Sequence, residues 1–181
     1  KKSIIYNAVE KKNFYKKSKS KNKTFLILSR IIKTKNIFFL VNSFKNSKKL
    51  SFHKLVIAGK GNLQEKLISF IGKNSKNIKF LGYQKNIDKL FKVADYHLSA
   101  STTEGFPNSV LESLNRKIPA VLSNIPQHRE IYQSDKILKR LLFKNNSKES
   151  LFQSIKFLIN NEKKINTRIN KINNKFLLSN M

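Results

Sequence analysis

Cysteine and tryptophan are absent from the 181 residues, and glycine (5), proline (3) and methionine (1) are scarce. Without cysteine there is no disulfide, no thiolate zinc site and no cysteine nucleophile, which fits a reducing compartment. Acids are few as well: 10 Asp and Glu stand against 38 Lys and Arg, a formal net charge of +28. Each acid therefore carries more information than usual, and so does each arginine, because most of the basic residues are lysine. No apolar run approaches the roughly 20 residues that a membrane-spanning helix needs. Lys1 is followed by no signal-peptide pattern, so the expected location is the cytoplasm.

What remains is a chain of ordinary folding capacity. Hydrophobic residues make up 39% and aromatics 10%, enough for one domain with a buried core. The charge alone would suit nucleic acid, anionic lipid or phosphorylated substrates. The lysines, however, are spread along the chain instead of forming one stripe, and no helix-turn-helix, RRM or zinc pattern is present. Nucleic acid is accordingly not an expected partner, and a basic nucleic-acid-binding module is the alternative reading. Peripheral attraction to anionic lipid, on the inner face of the plasma membrane, is the residual consequence of the charge.

Short apolar runs alternate with helical patterns, the signature of β-α units around a parallel sheet. Strands are expected at Thr24–Ser29, Lys54–Ala58, Ile78–Leu81, Tyr96–Ala100 and Ala120–Ser123, with a further one at Ile137–Phe143. Helices are expected at Asn36–Lys48, Leu63–Ile71, Ile87–Val93 (N-cap Asn86), Pro107–Asn115, Pro126–Tyr132, Ser147–Asn160 and Glu162–Leu178. The fold class is α/β: a Rossmann-like sheet of five or six parallel strands with helices on both faces. Residues 1–20 read as an entry linker, 21–160 as the domain and 161–181 as a C-terminal helix. Such sheets bind ligands at the carboxyl ends of their strands, near the switch point.

Three stretches fall at that edge. Gly59-Lys60-Gly61 follows a strand and opens a helix, where backbone N–H groups can meet phosphate. It is no dinucleotide fingerprint, because Gln64 stands at the third glycine position. Gly59 reads as a tight turn, and Gly61 as a residue that keeps the loop low under a ligand. Ser101 to Glu112 (STTEGFPNSVLE) carries two carboxylates, Glu104 on a loop and Glu112 inside a helix. Gly105 is expected to take an unusual backbone angle between them, and the helix start at Pro107–Asn108 offers N–H groups and a positive dipole end. An anion site flanked by two diol-accepting carboxylates has the layout of a nucleotide sugar. Arg30 to Lys35 (RIIKTK) brings cations to the same edge, and an arginine can hold a diphosphate through two parallel N–H groups.

Taken in order, the chain resembles a known family. The landmarks are Ser29-Arg30-Ile31 with Lys35, Leu55 to Gly61, Phe80 to Tyr83, Ala94-Asp95, Ser101 to Glu112, Ile118 to Val121, and Arg129-Glu130-Ile131. Their order and spacing are similar to those of the C-terminal, donor-binding domain of family-4 retaining glycosyltransferases of the GT-B fold, the glycosyl transferases group 1 domain. The likeness runs from about Asn7 to Asn160, and Tyr6-Asn7-Ala8-Val9 resembles the interdomain linker.

The resemblance implies roles. Arg30 and Lys35 would clamp the diphosphate of a nucleotide-sugar donor and stabilise charge on the departing nucleotide, in place of a metal or cofactor; no Asp-x-Asp pair occurs. Glu104 would orient donor-sugar hydroxyls, and the backbone of Gly105, Phe106, Pro107 and Asn108 would touch the sugar and distal phosphate. Glu112 would hold the ribose diol. Leu81, Gly82 and Tyr83 would line the base pocket, and Gly59 would keep its loop clear of the nucleotide. The implied chemistry is front-face attack by a glycan or lipid-linked acceptor on a UDP-sugar, with the protein positioning groups and stabilising charge. The implied setting is bacterial surface-polysaccharide synthesis. The family forms its cleft between two domains, so an N-terminal GT-B domain is an implied partner and this chain alone would be incomplete. A UDP-sugar epimerase of related fold is a further alternative. The chain departs from the family pattern at Ser29, Asn36 and Lys117, each where glycine is expected. For Lys117 a left-handed conformation would cost about 1–2 kcal/mol.

Overall fold

The computed structural model describes residues 20–73 and 75–172. The expected linker therefore lies outside the described residues apart from Ser20, as does the last helical pattern beyond Ile172. Six parallel strands form one sheet in the order β3-β2-β1-β4-β5-β6. They are β1 (Thr24–Leu28), β2 (Lys54–Ala58), β3 (Ile78–Phe80), β4 (Tyr96–Ser99), β5 (Ala120–Ser123) and β6 (Leu142–Phe143). The helices between and after them are α1 (Ile37–Lys45), α2 (Gln64–Ile71), α3 (Ile87–Val93), α4 (Asn108–Asn115), α5 (Pro126–Tyr132), α6 (Lys148–Asn160) and α7 (Glu162–Ile172). This is the doubly wound, Rossmann-like arrangement, whose order reverses between β1 and β4. Among the described residues no helix is long and apolar enough to cross a membrane.

The apolar run of β1 is continuous because both faces of the strand are covered. Phe25 and Ile27 join the larger core with Leu40, Val41 and Phe44 of α1. Leu26 points the other way, into a smaller cluster with Leu90 and Phe91 of α3. Caps follow the sequence: the Asn86 side chain accepts from the Lys89 N–H, and the Ser147 hydroxyl accepts from the Ser150 N–H. Helix α7 adds Ile165 and Ile169 to the larger core, and Glu162 at its start lies 3.5 Å from Lys23 Nζ beside β1.

Two expectations need correction. The stretch Ile137–Phe143 is not one strand: Leu138–Leu141 winds as a 3-10 turn, and only Leu142 and Phe143 pair with β5. The cause is Asp135, whose Oδ1 accepts from the N–H groups of Ile137 (2.8 Å) and Leu138 (3.1 Å) and starts the turn. Pro107 also stands outside α4, as its N-cap at φ −84° and ψ 67°, so the helix opens at Asn108.

Lys117 is in the left-handed region, at φ 58°. Its N–H donates to Leu114 O (2.8 Å) and the Ile118 N–H to Ser113 O (2.9 Å), the paired bonds of a Schellman stop after α4. A lysine here carries the strain that glycine would not. Lys117→Gly is expected to raise unfolding stability by about 0.5–1 kcal/mol. Urea denaturation checks this, and an unchanged midpoint would mean that the turn is unstrained.

Candidate functional site

The loops that follow β1, β2 and β3 are laced together by their backbones. Ser29 N–H donates to Ala58 O (3.1 Å), Ile31 N–H to Lys60 O (2.9 Å), Leu63 N–H to Ile31 O (3.1 Å) and Gly59 N–H to Gly82 O (2.8 Å). Such close passage excludes side chains. A Cβ on Gly59 would sit 1.8 Å from Ser29 O, and one on Gly61 would sit 2.3 Å from Ile31 O. Gly59 also needs its φ of 144°. The glycines thus seat one turn on another, and Gly61 faces Ile31, which corrects its expected role beneath a ligand.

Above this platform, a groove of about 380 Å³ opens at the carboxyl end of the sheet. Leu28, Ser29 and Arg30 line it from β1, and Gly59 and Lys60 from β2. Tyr83, Gln84, Lys85 and Ile87 come from the segment after β3, and Asn108, Ser109 and Glu112 from α4. Of the residues singled out in the sequence, Arg30, Gly59, Tyr83, Asn108 and Glu112 meet here. Leu81 and Gly82 stand behind the lining, where Leu81 O accepts from Gln84 Nε2 and Gly82 O from Gly59 N–H. Lys60 and Ser109 lie inside stretches named from the sequence but carry no role there, and Gln84, Lys85 and Ile87 are not among the site residues the sequence suggests. Their signal was position alone, directly after a strand or at a helix start, and in a chain this rich in lysine it did not stand out.

Arg30 and Glu112, both in this lining, are unpaired among the described residues. Arg30 is exposed, and its guanidinium makes no ion pair. Glu112 is half-buried, and its carboxylate accepts no hydrogen bond. Burial pushes the Glu112 carboxyl above the usual glutamate range, Asp88 pushes the same way, and Arg116 opposes both. Of these two charges Arg116 has the larger influence, but burial outweighs it, and its guanidinium is engaged elsewhere. It donates to Asp88 Oδ1 from Nε (3.0 Å) and Nη2 (2.6 Å), and from Nη1 to the main-chain Glu112 O, with its guanidinium 4.6 Å from the Phe91 ring centre. Lys60 Nζ stands 5.2 Å from the centre of the Tyr83 ring, which is 64% exposed at the groove mouth.

Lys35 and Glu104 lie at the same edge but not in the groove lining. They bind each other across the switch point, Nζ reaching both carboxylate oxygens at 2.6 and 2.5 Å. The Thr102 N–H donates to Thr34 O (2.8 Å) alongside, so the β1 and β4 loops are joined twice. Gly105 is not in the left-handed region, and a Cβ there would meet open space. The unusual backbone angle expected of it is therefore not used. Gly105, Phe106 and Pro107 border a separate small cavity with Leu111, Gln127, Glu130 and Ile131.

Residues 9–176 match the family described as glycosyl transferases group 1. The chain belongs to this family. It is 31% identical over 135 residues to the capsular polysaccharide biosynthesis glycosyltransferase CapH of Staphylococcus aureus, covering 71% of this chain and 38% of that protein. It is 29% identical over 167 residues to a Campylobacter jejuni enzyme, the N-acetylgalactosamine-N,N'-diacetylbacillosaminyl-diphospho-undecaprenol 4-alpha-N-acetylgalactosaminyltransferase, covering 88% and 45%. The chain thus spans less than half the length of either relative. Among solved structures, Anabaena HepE in complex with UDP and glucose superposes with a TM-score of 0.73 at 18% identity, over 86% of this chain and 44% of that one. This group 1 domain has the GT-B-type Rossmann-like sheet, with Arg30 and Glu112 in one groove at the strand ends.

The platform can be tested apart from any ligand. Gly61→Ala is expected to destabilise the fold by about 1–3 kcal/mol, since the new methyl meets backbone that cannot turn aside. Gly105→Ala, in open space, is expected to stay within about 0.5 kcal/mol of wild type. Equal urea midpoints for the two variants would contradict the lacing.

Proposed function

We propose that this chain is the donor-binding half of a retaining, metal-independent glycosyltransferase. It takes a nucleoside-diphosphate sugar, in the first place a UDP-sugar. The acceptor is a glycan or lipid-linked sugar in bacterial surface-polysaccharide synthesis, and an N-terminal domain holds it. The reading places the enzyme in the cytoplasm, with peripheral contact to anionic lipid.

One observation carries this reading. Arg30 and Glu112 line a single groove at the switch point, both unpaired among the described residues, with Asn108 and Ser109 at the start of α4 in the same lining. An unpaired guanidinium suits the diphosphate through two parallel N–H groups. An unpaired carboxylate suits the ribose diol, because each of its oxygens can accept one hydroxyl. Lys60 and Lys85 add cations, and the exposed Tyr83 ring offers a face for the base. These cations would stabilise the departing diphosphate without a divalent ion. The relatives point the same way: CapH belongs to capsule synthesis, the Campylobacter enzyme acts on an undecaprenol-linked sugar, and HepE was solved with UDP and glucose.

UDP is expected to raise the melting temperature of the chain equally with EDTA and with Mg²⁺. Glu112→Ala should weaken UDP binding by at least about tenfold, the worth of a hydrogen-bonded charge. Glu104→Ala should not weaken UDP binding, because UDP has no hexose and the change frees the Lys35 ammonium for the diphosphate. A thermal-shift and calorimetric series reads both. No response to UDP in wild type or variants would refute the donor site.

The raised Glu112 pKa gives a second test, with opposite signs for binding and folding. Only the carboxylate accepts two hydroxyls, so UDP affinity should fall as pH drops through a value above the usual glutamate range. The bare fold behaves in reverse: it holds the proton at a higher pH than the unfolded chain does. This group's contribution to stability therefore grows as pH falls through the folded pKa toward the unfolded one. Glu112→Gln should flatten the UDP response across that window, and calorimetry over a pH series decides it.

A further inference from the structure

Behind the groove lies a second hydrogen-bonded system, and it is buried: Ser101 is 1% exposed, Ser123 0% and His128 0%. The chemistry of the groups fixes the direction of each bond. Ser123 main-chain O can only accept, so the 2.9 Å contact with His128 Nδ1 requires the proton on that nitrogen. Burial holds the His128 pKa below the ordinary histidine value, in keeping with a neutral ring. Ser123 Oγ donates to Ser101 O at 2.6 Å, and Ser101 Oγ donates to Glu104 Oε1 at 2.6 Å. The chain of bonds runs one way, from α5 through the end of β5 to the loop after β4, and it ends on the carboxylate.

Among the described residues Glu104 has two side-chain partners, Ser101 and Lys35. They are unlike. Lys35 is a cation on a flexible stem in the β1–α1 connection, which also carries Arg30. A bound diphosphate there competes with Glu104 for its ammonium. Ser101 is neutral, fully buried and clamped from behind by Ser123, so it cannot follow the phosphate. Once Lys35 is drawn away, the Ser101 hydroxyl alone holds the carboxylate, which otherwise has three free rotors and an exposed glycine next to it.

We propose that Ser101 is a positioning residue that fixes the Glu104 carboxylate toward the hexose of the donor, with Ser123 and His128 clamping the strand end that carries it. The proposal rests on the donor-binding reading above, and its failure is separable from the failure of that reading. The test is calorimetric binding to the full chain of UDP and of UDP-glucose, UDP-galactose and UDP-N-acetylglucosamine. Wild type should bind at least one UDP-sugar more tightly than UDP. Ser101→Ala should lose about tenfold of that preference, as expected for a hydrogen bond to a charged group. Its UDP affinity should stay within about twofold of wild type, a change too small to reflect loss of a charged contact. Ser101→Thr should restore the preference. Ser101→Cys, similar in shape with a far weaker donor, should lose it even if the alanine variant folds poorly. In a Glu104→Ala background, Ser101→Ala should cause no further loss. An unchanged preference in Ser101→Ala and Ser101→Cys would overturn the assignment. So would wild type that binds UDP but prefers none of the three sugars. Wild type that fails to bind UDP would overturn the donor reading itself.

Discussion

The approach of Gly59 to the Ser29 carbonyl is the contact on which the site depends. Two turns from neighbouring strands occupy space that a single methyl group would fill. Three backbone hydrogen bonds then hold the two turns together, and a fourth, from Gly59 N–H to Gly82 O, ties them to the segment after β3. Because these bonds are made by main chain, they fix where Arg30 and Tyr83 leave the sheet whatever the side chains are. A parallel sheet alone puts loops at its carboxyl edge; this lacing decides how far apart their side chains stand. The groove is thus a product of two glycines before it is a product of any charge.

The charges near the groove fall into two kinds. Arg116–Asp88 and Lys35–Glu104 are pairs, each with well-formed hydrogen bonds, and pairing is what makes a buried charge tolerable. Arg30 and Glu112 are unpaired among the described residues. For Arg30 this costs little, since it is exposed. For Glu112 it costs more: a half-buried carboxylate without a donor raises its own pKa. A fold has no stability reason to keep such a group, and perturbed, unsatisfied acids gather where a ligand supplies the missing partner. Arg116, one turn along α4, opposes the shift through its charge but gives its hydrogen bonds to Asp88 and to the Glu112 main-chain O.

Much of this fold was legible because the strands are short, apolar and punctuated. Lys54–Ala58 and Ala120–Ser123 have the bounds read from the sequence, and Asn86 and Ser147 cap where expected. Ile137–Phe143 was not legible, because its apolar run fits a strand while a side chain outside the run, Asp135, winds the first half. The site residues were legible as a constellation at one sheet edge, but their division was not. Nothing in the spacing says that Lys35 and Glu104 neutralise each other while Arg30 and Glu112 do not; that depends on the β1 and β4 loops meeting through Thr34 and Thr102. Gly105 misled because it sits inside a motif. The left-handed non-glycine positions among the described residues are instead Asn36, Lys117 and Asn146, and asparagine is better suited to that conformation than lysine.

The net charge of +28 fits this picture without defining it. At physiological salt a charge is screened over about 8 Å, so apart from Lys60 and Lys85, which line the groove, the surface lysines do not set its chemistry. Their summed field acts at longer range, on how often an anion arrives, and weakens with salt. Selectivity among anions needs groups of fixed geometry. Those are few: a guanidinium seated by the glycine turns, a carboxylate held in α4, and a second carboxylate braced by a buried serine. On the proposed donor-binding reading, a diphosphate flanked by hydroxyls on both sides would satisfy all three, whereas a phosphate without hydroxyls would leave Glu112 without a partner. On that reading the acids, scarce as they are, turn a generally basic surface into a site for one kind of anion.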